Sequence, residues 1–80
     1  MTEQREMTYG EKAVGLTFNP SNNDAVAACK AGFAILINQM DDLRKSTGSN
    51  PEISRMASIA ITEAQTAQMW AVKALTWSHT

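Results

Sequence analysis

Apolar residues between positions 26 and 43 fall at alternating steps of three and four: Val26, Cys29, Phe33, Leu36, Met40 and Leu43. That spacing predicts an amphipathic helix of coiled-coil type. Upstream, Pro20 fixes its own φ and biases Asn19 away from the helical region. Ser21 or Asn22 then supplies a cap, and Asp24 suits the positive helix end. These signals predict a first long helix over about 22–45. Ile35 and Ile37 lie beside its main stripe.

A polar linker, Ser46-Thr47-Gly48-Ser49-Asn50, follows. Gly48 offers the positive φ that often ends a helix. Asn50, Pro51 and Glu52 form the clearest start signal in the chain: a cap, a proline at the first helical position and an acid in the first turn. The second helix is expected over about 51–77, roughly 40 Å long at 1.5 Å per residue. Its expected seam is Ile53, Met56, Ala60, Ala67, Trp70, Ala74 and Trp77, interrupted by Glu63. Ile59, Ile61, Met69, Val72 and Leu75 lie off that seam.

Two long helices joined by a short loop predict an all-α chain built as an antiparallel two-helix hairpin. The expected division is an N-terminal tail or arm over 1–17 and a hairpin domain over 18–80. Within the arm, Tyr9 to Thr17 fits either a short helix or an extended segment, because Gly10 and Gly15 weaken both patterns. A hairpin has one internal face per helix, and this chain has apolar residues on more than one. The surplus predicts a homo-oligomer.

Eighty residues bound the chain to one small domain with a marginal core. Cys29 is the only cysteine, so no intramolecular disulfide and no Cys-based metal cluster is expected. A formal net charge of −1 argues against DNA or RNA as a partner, which needs a basic field. It leaves room for a small phosphorylated ligand. No apolar run approaches the roughly 20 residues of a membrane span. The polar start, Met1-Thr2-Glu3-Gln4-Arg5-Glu6, lacks the apolar core of a signal peptide. A soluble intracellular protein is expected.

The residues argue against an enzyme. The one histidine, His79, is next to last, and Cys29 has no histidine near it in sequence. The glycines are scattered and form no phosphate loop. No cofactor and no metal is expected.

Lys73 is the informative cation. It sits among Met69, Trp70, Val72, Leu75 and Trp77, and no Asp or Glu occurs from Ala64 onward. A lysine so placed snorkels to water, pairs with a distant acid or meets an anion from outside. Lys30 flanks the seam of the first helix, as an interface lysine or as a phosphate ligand. Phe18-Asn19-Pro20-Ser21 places an aromatic, an amide and a hydroxyl beside a helix start. That set suits a stacked base and an anion, although a hydrophobic staple over the first turn is the simpler reading. Arg55 is expected to pair with Glu52.

The run Arg55-Met56-Ala57-Ser58-Ile59-Ala60-Ile61-Thr62-Glu63-Ala64-Gln65, followed by Met69 and Lys73-Ala74, resembles the second helix of phage anti-CBASS cyclic-oligonucleotide sponges and the related Thoeris anti-defence sponges. Ala28-Cys29-Lys30 resembles that family's helix 1 lysine site. The resemblance spans roughly residues 18 to 76. It departs at three points: Phe18 is the nearest aromatic to the family's N-terminal tyrosine, Met56 stands for a tryptophan, and Lys73 stands for an arginine.

The resemblance implies a hexamer of interlocked dimers that sequesters cyclic oligonucleotides without cleaving them. Cyclic GMP–AMP-like dinucleotides would lie between paired chains, with Lys30 on phosphates and Phe18 stacking a base. Cyclic triadenylate-like trinucleotides would lie where three chains meet, held by copies of Lys73. Asn19, Ser21 and Thr76 are the expected polar contacts to ligand. A cyclic ADP-ribose isomer is a further ligand class within the wider family, and the implied location is the cytoplasm of the infected bacterial host. The competing reading is a helical-hairpin oligomerisation or protein-interaction module with no small ligand.

Overall fold

The computed structural model describes residues 6–20, 22–46, 48 and 50–79. Among them the order is α1 (Tyr9–Ala13), α2 (Asp24–Ser46), α3 (Pro51–Leu75) and a single 3-10 turn (Trp77–His79), with no strand. The helices lie in one thin layer, with Cα extents of 46 × 38 × 12 Å.

The ends of α2 and α3 follow local chemistry. The α2 cap is Asn23, one residue later than expected: its side-chain oxygen accepts from the Ala25 and Val26 amides at 2.8 and 3.3 Å. Asn22 instead takes a positive φ of 52°. Gly48 turns the chain with φ 39°, as its lack of a Cβ allows. Asn50 caps α3 through the Glu52 and Ile53 amides, with Pro51 in the first turn.

The contact face is where the structure corrects the sequence reading. Ile37 and Ile61, both placed off the seams, are the two fully buried large side chains, at 0% and 2% exposure. Val26, Lys30, Ala34, Ile37 and Asp41 form the buried line of α2, and Ala57, Ile61, Ala64 and Gln68 that of α3. Met56, Trp70 and Trp77, expected on the α3 seam, are exposed, as are Leu36 and Leu43. Two causes produce the inversion. Alanines at the contact let the helices approach but carry little hydrophobic signal. Lys30, Asp41 and Gln68 interrupt the inner line with polar side chains, so the strongest apolar stripe lies elsewhere.

The arm takes the helical alternative left open for it. Thr8 caps α1 in a capping box, accepting from the Glu11 amide while Glu11 accepts from the Thr8 amide. Gly10 donates to Asn38 Oδ1 at 2.8 Å, and Asn38 donates to Thr8 Oγ1 at 3.1 Å. Val14 then enters the core beside Ala34, Ile37, Ile61 and Ala64. Residues 9–14 therefore help bury the hairpin's inner face. A single side chain of this size gains about 1.5–3 kcal/mol on burial.

The loop end of the hairpin carries a charge cluster. Buried Asp41 pairs with Arg44 Nε at 2.9 Å and Lys45 Nζ at 2.8 Å. Arg44 lies 5.0 Å from the centre of the Tyr9 ring and donates to Ser58 Oγ at 3.3 Å. This cluster ties α1, α2 and α3 together. The hydrogen bond from Lys45, helped by Arg44, holds the Asp41 carboxyl below its ordinary value despite the opposing effect of burial. Arg55 pairs with Glu52 as expected, through two contacts of 3.1 and 2.5 Å.

Candidate functional site

Because α2 and α3 run antiparallel, the start of α2 meets the end of α3. A groove of about 260 Å³ opens at that junction, lined by Phe18, Asn19, Pro20, Val26, Lys30, Val72 and Thr76. Four expected site residues, Phe18, Asn19, Lys30 and Thr76, thus share one concavity. Ser21 lies outside the described residues. Val26 and Val72 form the apolar part of the wall and were missed as site residues. The signal for them was spacing: each stands four residues before a polar site residue, Lys30 or Thr76, on the same helix face.

Lys30 is 5% exposed, unlike a lysine with a solvated head. Its ammonium donates to the Gly15 carbonyl at 3.0 Å and to the Phe18 carbonyl. It also lies 5.5 Å from the centre of the Phe18 ring, within cation–π range. An ammonium has three donors, so one N–H is left after these two bonds. The Phe18 ring is 71% exposed, so the staple over the first turn is not formed.

The amide of Asn19 closes its own loop. Its Nδ2 donates to the Asn23 carbonyl at 3.0 Å and its Oδ1 accepts from the Asn23 amide at 3.3 Å. Thr76 Oγ1 donates to the Val72 carbonyl at 2.9 Å, which leaves its lone pairs as acceptors. The groove therefore presents an apolar wall, an exposed aromatic face, one ammonium and a hydroxyl oxygen. Such a set can take a planar ring bearing an anionic group. The first-turn amides of α2 at Ala25 and Val26 are already taken by Asn23.

Lys73 is not in this groove. It lies on the outer side of α3, with Nζ 5.3 Å from the centre of the Trp70 ring. Trp70, Lys73, Ala74 and Trp77 line a separate shallow depression of about 300 Å³. Met56, Ile59 and Trp70 continue this side of α3 as exposed apolar residues, and exposed Trp77 follows in the 3-10 turn. The two candidate cations thus serve different surfaces of one chain. No group of three or more His, Cys, Asp and Glu side chains suited to a metal ion occurs among the described residues. No described helix is long and apolar enough to cross a membrane.

A family model described as Acb2/Tad1, hairpin domain, matches residues 11–76. That span takes in α2, α3, the linker, and the arm from Glu11 onward. No curated protein and no solved structure matches the chain.

Proposed function

This chain belongs to the Acb2/Tad1 hairpin family of anti-CBASS and anti-Thoeris sponges, and we propose that it binds cyclic di- and trinucleotide immune signals without cleaving them. The Phe18–Lys30 groove carries the reading. An aromatic face takes a base, and the remaining Lys30 N–H takes a phosphate. Val26 and Val72 exclude water from the base, and Thr76 Oγ1 accepts from its edge.

One groove supplies one ammonium, whereas a cyclic dinucleotide carries two phosphates. A second copy of the chain, facing the first, supplies the other. The 12 Å layer supports such pairing, since a single layer of helices leaves apolar residues uncovered on its outer surfaces. Met56, Ile59, Met69 and Trp70 on α3, Trp77 in the 3-10 turn after it, and Ile35, Leu36 and Leu43 on α2 are the residues a homo-oligomer would cover. A hexamer brings copies of Lys73 around a threefold axis, where they hold the phosphates of a cyclic triadenylate-like ring.

Sequestration in the cytoplasm of the infected bacterial host lowers the free signal and keeps its effector inactive. The test is release: protein loaded with cyclic GMP–AMP is denatured and the ligand chromatographed. Intact ligand supports a sponge; a hydrolysed product means an enzyme. A protein-interaction module is the second reading, favoured by the exposed Trp70 and Trp77. It predicts no nucleotide binding at all.

A further inference from the structure

The buried ammonium of Lys30 is committed to the arm before any ligand arrives. Two of its three donors hold carbonyls of a single turn, at Gly15 and Phe18. Upstream, Val14 anchors the chain in the core. Downstream, the Asn19–Asn23 pair closes the loop before α2. Between these anchors the chain turns at Gly15, with φ 63° and a Phe18 amide bond to the Gly15 carbonyl at 2.9 Å. The Phe18 ring gains little from burial, so packing alone does not hold it in place. Its backbone carbonyl, bonded to Lys30, does.

We infer that Lys30 is a positioning residue for Phe18: its ammonium fixes the 15–18 turn so that the ring stands as one wall of the groove. The inference rests on the nucleotide reading of that groove and changes what Lys30 does there. A lysine that merely touched phosphate would contribute independently of the aromatic ring. A lysine that holds the ring in place contributes through it, and its loss matters less once the ring is gone.

A double-mutant cycle separates the two cases. Binding of cyclic GMP–AMP is measured for the native chain, Lys30→Met, Phe18→Ala and the double variant. Methionine keeps the unbranched stem and removes the donors. The expected result is about a tenfold loss for Lys30→Met in the native background and less than about threefold in the Phe18→Ala background, a ratio typical of coupled neighbours. Equal losses in both backgrounds overturn the inference.

Amide exchange decides the matter even if the native chain binds no cyclic nucleotide, an outcome that sinks the proposed function alone. In Lys30→Met the Phe18 amide should lose protection while Ile37 and Ile61 keep theirs. Unchanged protection at Phe18 overturns the inference. Loss of protection throughout α2 and α3 in Lys30→Met also overturns the inference, because the ammonium then holds the whole hairpin rather than the 15–18 turn.

Discussion

Gly10 and Ala34 stand in direct backbone contact: a β-carbon added at Gly10 would lie 2.2 Å from the Ala34 carbonyl oxygen. The same hypothetical atom would meet Asn38 Oδ1 at 2.8 Å, the oxygen that accepts from the Gly10 amide. Glycine is needed here for close approach between α1 and α2. Gly10→Ala is therefore expected to push α1 away and to cost about 1–3 kcal/mol, the usual range for overpacking. Thermal unfolding checks this. An unchanged Tm would mean that α1 does not dock where the structure has it.

The inner and outer sides of α3 should respond differently to truncation. Ile61→Ala empties a fully buried site and is expected to cost about 2–5 kcal/mol in denaturant unfolding. Ile59→Ala removes an exposed side chain and should leave the chain folded while weakening self-association. Sedimentation of the two variants against the native chain tests the pair. A larger stability loss for Ile59→Ala would reverse the assignment of faces.

That assignment shows what was legible from residues alone. The element types and the α3 start were readable, because Asn50-Pro51-Glu52 and Gly48 each encode a local backbone requirement. The contact face was not. Hydrophobic spacing tracks the strongest apolar stripe, and here large apolar residues stand outside while Ala57, Ala64, Lys30 and Asp41 face inward. Phe18, Lys30 and Thr76 enter as ligand contacts by way of the family resemblance; that they share one groove is a finding of the structure. The bonds from Lys30 to Gly15 and Phe18 had no sequence signal, since their acceptors are main-chain carbonyls available at any residue.

Asp41 gives the fold an acid-sensitive point. Its carboxyl is held below the ordinary value of 3.8, mainly by Lys45 and also by Arg44. A group depressed on folding contributes stability that is present above its ordinary value and lost as pH falls through the lower folded value. The native chain should therefore weaken below about pH 4. Asp41→Asn should be less stable at neutral pH and show a flatter acid limb. Denaturation midpoints from pH 2 to 7 decide it; parallel profiles for the two proteins would remove Asp41 from the account.

Lys73 tests the second site independently of the first. Lys73→Ala is expected to weaken cyclic triadenylate binding by about 10-fold or more, the scale of a lost charged hydrogen bond. Cyclic GMP–AMP binding should persist, because Lys73 is outside the Phe18–Lys30 groove. Equal retention of both ligands would rule out a phosphate role for Lys73.

Calorimetric titration of the purified native protein with cyclic GMP–AMP, then cyclic triadenylate and a cyclic ADP-ribose isomer, tests the central claim most directly. The account predicts tight binding of a cyclic oligonucleotide at less than one ligand per chain, since each pocket draws on more than one copy. No heat with any of the three ligands would contradict it and leave the exposed α3 side as a protein-docking surface.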